Sequence, residues 1–192
     1  FIVIKCDCLD SSNVAQTLFG FVDNSQELQP GLIARANGGT VYLERISALS
    51  IALQARLLQM IQDKEIYPER SVDPIAIDVR FMCSDELNFT QLINQRVFRS
   101  DLYYRISIIH IDVPALRDHS EDIPELMNYF FDKQSKIYSI PAPSITNDCI
   151  QQLMQYDFPG NIAELENIVE RMVLQHSDNI MDIKGMGVLP IT

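Results

Sequence analysis

Four stretches of the chain are apolar or β-branched over the length of a strand: residues 1 to 5, 41 to 44, 75 to 82 and 106 to 113. Between them the period lengthens. From Ser50 to about Lys64, Leu53, Leu57 and Ile61 recur every fourth residue, and Ser50 is a suitable cap, so this segment is expected to be a helix. Near-continuously apolar strands alternating with helices predict a mostly parallel sheet covered on both faces. After Pro114 the strand-like runs stop, and residues 121 to 136, about 147 to 156 and 161 to 176 read as three helices. The last has the clearest stripe, made of Ile162, Leu165, Ile168, Val169, Met172 and Val173. Asn161 as cap with Glu164 three residues on resembles a capping box, and Pro159-Gly160 blocks extension backwards. The expected organisation is an α/β unit followed by a small helical unit.

Composition narrows the functional classes. Among 192 residues, 47% are apolar and 21% charged, which suits a globular domain with a real core. No run approaches the roughly 20 apolar residues of a membrane-spanning helix. The first residues, FIVIKCDCLD, are strand-like rather than leader-like, so the chain is expected to begin inside a domain. A formal charge of −11 repels phosphate backbones and makes this chain alone a poor electrostatic holder of DNA. The four cysteines are Cys6, Cys8, Cys83 and Cys149. Cys6 and Cys8 alternate on an expected strand and no second ligand pair completes a zinc pattern, so reduced, buried thiols and a cytoplasmic setting are expected.

The candidate chemistry sits in GGTVYLERIS, residues 38 to 47. An apolar strand ends on Glu44 and Arg45, charges of opposite sign at a place where strands often deliver charge to a ligand. Read together, GGTVYLERI, LQARLLQMIQ, FRSDLYYRISIIHIDVPALRDHSEDIPEL and FPGNIAELENIVERMVL resemble the central AAA+ domain of bacterial enhancer-binding regulators of the NtrC type, activators of sigma-54 polymerase. The resemblance implies an α/β AAA+ core over residues 1 to 118 and a helical lid with the start of a linker over residues 119 to 192, the ending GVLPIT marking the exit into that linker. It implies rings of copies with ATP held between neighbours. FIVIKCDCL resembles the family's second strand, so a first strand and its phosphate loop are expected upstream. That strand lies mid-sheet in the family, between the strands matching 75 to 82 and 106 to 113. No G-x-x-x-x-G-K-[ST] occurs among the residues in hand.

Set against the family's motifs, this sequence departs at several positions. The strand tip of the family ends in Asp-Glu, where magnesium is held and water activated; here Glu44 remains as a possible magnesium ligand and Arg45 takes the water-activating place. A guanidinium offers donors only and stays protonated, so it cannot take a proton from water. Where the family has an asparagine that senses the γ-phosphate, Asp85 and Glu86 stand; they either face a triphosphate they would repel or belong to a solvated turn. Arg99 and Arg105 match the two arginines that reach a neighbour's nucleotide, or are plain surface arginines on a helix. Ala163 replaces the lid arginine that contacts phosphate. Ile123 matches an apolar side chain beside adenine and is equally plausible as lid core. The polymerase-contacting loop expected after Leu18-Phe19-Gly20 is shortened to FVDNSQELQPG and lacks its apolar tip.

These departures lead to the expectation of a regulatory AAA+ domain, deficient in hydrolysis, working by oligomerisation and by sensing a nucleotide. The expected ligands are ATP or ADP with magnesium in the full-length protein, or cyclic di-GMP as in eroded relatives that control biofilm and flagellar genes. The expected partners are further copies of itself, from dimer to hexamer, RNA polymerase, and promoter DNA through a separate C-terminal domain. The alternatives are an active ATPase that remodels sigma-54 polymerase and a plain interaction domain that binds no nucleotide.

Overall fold

The structure is a computed structural model that describes residues 1–175. The ending GVLPIT lies outside the described residues. The chain divides into two compact units, Phe1–His110 and a second beginning at Ile111.

The first unit is built on a parallel sheet of β1 (Ile2–Lys5), β4 (Thr40–Glu44) and β7 (Arg80–Ser84), in the order β1-β4-β7. Preceding β4 are α1 (Val14–Phe19), a hairpin of β2 (Gly20–Val22) and β3 (Leu28–Pro30), and α2 (Leu32–Arg35). Central β4 alternates half-buried and buried residues, with Val41 and Leu43 sealed in the core. The register pairs Lys5 with Glu44 and Glu44 with Ser84, so all three strands end at one edge. α3 (Ile51–Asp63) follows as expected, its start capped by Ser50 Oγ, which accepts from the Leu53 amide, and its end closed by Lys64 in the left-handed region. Leu57, Leu58 and Met60 carry its buried face.

Two expected strands turn out differently. Instead of a single strand over 75 to 82, a two-residue β6 (Ile75–Ala76) pairs antiparallel with β5 (Glu65–Ile66), and β7 begins only at Arg80. Residues 107 to 113 form no strand; Ile108, Ile109, Ile111 and Val113 are each more than three-quarters exposed. An apolar run signals burial potential, but a strand needs a partner to satisfy its backbone, and none of the described strands lies beside this one. Between them, α4 (Phe89–Asn94) is capped by Asn88, and α5 (Ser100–Ile106) follows Arg99.

Three helices, α6 (Ile123–Tyr138), α7 (Asn147–Met154) and α8 (Asn161–Leu174), form the second unit around Ile123, Met127, Phe131, Leu153, Phe158, Leu165 and Ile168. All three match expectation within two residues or so at each end. The α8 stripe is buried except for Ile162, which is about half exposed because it precedes the first core-facing turn. The cap also differs. Gly160 precedes α8, and its N–H donates to Glu164 Oε2 at 2.8 Å, while Asn161 lies inside the first turn at φ 51° with its Oδ1 accepting from the Leu116 amide. Asparagine tolerates that left-handed backbone, which frees its side chain to tie the approach segment to the helix.

Candidate functional site

Because parallel strands end together, the edge at Lys5, Glu44 and Ser84 gathers the charged residues that follow each strand. Arg45 comes first after β4 and adopts φ 53°, ψ 56°, unusual for an arginine. This turn aims its guanidinium sideways along the edge. Nη1 donates to Asp7 Oδ2 at 3.0 Å, after β1, while Nη2 and Nε donate to Glu86 Oε1 at 2.6 and 3.2 Å, after β7. The hydrogen bond and charge of Glu86, then the charge of Asp7, hold Arg45 above the usual arginine range. Asp7 is lowered, with burial opposing, by hydrogen bonds from Cys8 and the backbone and by the charge of Arg45.

Glu44 does not face open space as a bare carboxylate. The Lys5 ammonium lies 3.9 Å away. Asp85 and Glu86 do not pair up as two carboxylates toward one ligand either. Asp85 Oδ2 accepts from the Ser47 amide at 2.8 Å and Oδ1 from the Leu87 amide at 3.1 Å, so its side chain shapes two turns. Glu86 is spent on Arg45. Glu44, with Lys5 beside it, remains the candidate magnesium ligand at this edge, and among the described residues no group of three His, Cys, Asp or Glu is placed to hold a metal by side chains alone.

Cys6 and Cys8 lie on a short 3-10 turn, Cys6–Cys8, rather than on a strand, with Cys6 buried and Cys8 exposed. Burial first, then the charges of Asp7, Asp85 and Glu44, pushes the Cys6 thiol up to about 12; burial does the same for Cys83. Both stay protonated and unreactive at neutral pH.

The other candidates belong to other elements. Arg99, just before α5, is half-buried and clasps Asp101 through Nε at 3.0 Å and Nη2 at 2.7 Å. Arg105 is exposed on α5. In the helical unit, Ala163 is exposed on the first turn of α8 and carries no group to reach a phosphate. Ile123 is fully enclosed in the lid core.

The shortened loop is a closed hairpin. Asp23 Oδ1 accepts from the Ser25 and Glu27 amides at 2.8 and 2.9 Å, and Oδ2 from Gln29 Nε2 at 3.1 Å. At its base Gly20 and Gly31 pass so closely that a Cβ on Gly31 would meet the Gly20 nitrogen and the Leu18 oxygen at 2.4 Å.

Lys5 and Asp7 escaped the sequence reading. A signal for them existed: in a parallel sheet, residues just past one strand share an edge with those past its neighbour.

This is an AAA+ domain, a parallel core followed by a helical lid. Residues 1–112 match the model of the sigma-54 interaction domain and residues 117–187 that of the AAA+ ATPase lid domain, and the chain belongs to that sigma-54 interaction family. It is 33% identical over 195 residues to an uncharacterised protein from the HyuA 5' region of Pseudomonas sp. NS671, covering 97% of this chain and 65% of that one. It is 35% identical to UacR of Escherichia coli K12, a putative uric acid sigma-54-dependent regulator, over 90% of this chain and 30% of UacR. It is also 35% identical to the alginate biosynthesis regulator AlgB of Pseudomonas putida KT2440, over 97% of this chain and 42% of AlgB. The chain thus spans between 30% and 65% of these relatives. The crystal structure of NtrX from Brucella abortus superposes with a TM-score of 0.86 at 26% identity, over 97% of this chain and 44% of NtrX. NtrX has also been solved with ATP. Yeast Hsp104, at 14% identity and a TM-score of 0.57, shares the fold over 90% of this chain and 34% of its own.

Proposed function

We propose that this chain is the central regulatory module of a sigma-54-type transcription regulator that senses nucleotide and self-associates without hydrolysing ATP. One observation carries this: the water-activating place at the strand tip holds Arg45, fixed between Asp7 and Glu86. A cation held by two carboxylates has no lone pair for a water proton, and its charge repels a metal. Glu44 is engaged by the Lys5 ammonium 3.9 Å away and so does not stand free to take over.

Nucleotide as the ligand class is supported by the ATP complex of the structurally similar NtrX. ATP or ADP, with or without magnesium, and cyclic di-GMP are the species to be tried. Arg99 and Arg105, on the exposed side of α5 and its start, suit contact with a second copy, giving oligomers from dimer to hexamer. RNA polymerase is the expected downstream partner, and promoter DNA is reached through a separate C-terminal domain, in keeping with the greater length of the relatives. A cytoplasmic location agrees with the absence, among the described residues, of any helix long and apolar enough to cross a membrane.

The match to the sigma-54 interaction domain and the two retained arginines favour a second reading, an active ATPase that remodels sigma-54 polymerase. The two separate on one measurement. Phosphate release by the full-length protein should stay at the no-enzyme rate while calorimetry registers binding of ATP or cyclic di-GMP. Turnover comparable to that of an intact relative would establish the second reading, and no heat with either nucleotide would leave a protein-interaction domain.

A further inference from the structure

Gln54, on the inner face of α3, is fully buried, and with Gln134 it is one of two buried polar residues among the described residues. A carboxamide has two N–H donors and one carbonyl oxygen, and here all three functions are engaged. Nε2 donates to the Leu49 oxygen at 2.7 Å and to the Val97 oxygen at 3.0 Å, and Oε1 accepts from the Arg99 amide at 2.9 Å. These partners belong to two distant segments. Leu49 closes the turn Ile46–Ala48 that begins at Arg45, and the Ser47 amide within that turn is held by Asp85. Val97 and Arg99 form the approach to α5, where the Arg99 N–H lies ahead of the helix. One side chain therefore joins the strand-tip turn to the backbone of Arg99.

We propose that Gln54 is a positioning residue for Arg99, tying that arginine to the turn at the strand tip so that the two move as one body. This rests on the reading that Arg99 faces a second copy. A single buried amide then passes any shift of the tip in one copy to the arginine presented to the next. A buried, fully satisfied polar group is costly to place and specifies one geometry, whereas an apolar residue would serve packing equally well.

The test uses the full-length protein with four changes: Gln54→Leu, Gln54→Glu, Arg99→Ala, and Gln54→Leu with Arg99→Ala. Hydrogen exchange at the Arg99 amide should speed up by about tenfold or more in Gln54→Leu while the amides of β4 stay unchanged. Gln54→Glu keeps an oxygen for that amide but, when ionised, offers no donor to the Leu49 and Val97 oxygens, so it should protect the Arg99 amide only at a pH low enough to protonate the buried carboxyl. Sedimentation velocity with ATP present should show Gln54→Leu weakening self-association as much as Arg99→Ala, and the double variant no more than either. Unchanged exchange at Arg99 in Gln54→Leu overturns the proposal, as does a further loss of association in the Arg99→Ala background. Should Gln54→Leu fail to fold, rapid exchange at Arg99 in Gln54→Glu with the carboxyl protonated overturns it instead. If Arg99→Ala associates like the wild type, Arg99 does not face a second copy, and the exchange result alone decides whether Gln54 holds it.

Discussion

At Arg45 two effects oppose each other in one residue. The left-handed backbone strains an L side chain, while the guanidinium bridges carboxylates from the two neighbouring strand ends. Both ion pairs are largely solvent-exposed, so the bridge is a weak fastener that salt screens. Substitutions separate the terms. Arg45→Ala loses the bridge and keeps the strain. Arg45→Gly loses the bridge and relieves the strain, and Arg45→Glu adds a carboxylate among Asp7, Glu44 and Glu86. Urea midpoints should therefore fall in the order Gly, Ala, Glu, with Arg45→Ala below the wild type. A glycine variant no more stable than the alanine one would mean that the turn is not strained. Only half of this site was legible beforehand. The cation could be read from its neighbours in GGTVYLERI, but its partners lie 38 and 41 residues away, and only the register of β1 and β7 with β4 brings them together.

Among the elements, legibility followed the strength of the local signal. α3, α6, α7 and α8 each carry a stripe of apolar residues and lie close to where the pattern put them, with Ser50 and Thr146 accepting backbone amides at the starts of α3 and α7. The run at 106 to 113 failed because its composition describes a side-chain environment, not a hydrogen-bonding partner. The α8 cap failed because Asn161 found a better use for its side chain on Leu116 than on its own helix. The hairpin of β2 and β3 depends on a feature that no periodicity reveals, the contact between Gly20 and Gly31. With backbone atoms 2.4 Å from where a Cβ would sit, Gly31→Ala should cost about 2 kcal/mol through forced displacement of the hairpin base. The loss should appear as a lower urea midpoint with an unchanged m-value. A neutral substitution would show that the hairpin base yields freely, and the closed loop would then be an adaptable surface.

Across the whole chain, charge sets the terms of assembly. Copies carrying −11 each repel one another at long range, and that repulsion reaches furthest when salt is low. Direct pairs between Arg99 or Arg105 and carboxylates of a second copy would act the other way, weakening as salt rises. Exposed pairs of this kind contribute about 0–1 kcal/mol each, whereas repulsion sums over every charge within a screening length. Raising ionic strength from about 0.01 M to about 0.15 M shortens that length from about 30 Å to about 8 Å. The weight-average sedimentation coefficient should therefore increase over this range. If it falls, association rests on direct ion pairs, and the basic residues around α5 become the first place to look for them. Either result bears on the tip as well. On the proposed reading, in which the module does not turn over ATP, the forces between copies rather than a catalytic rate govern its output.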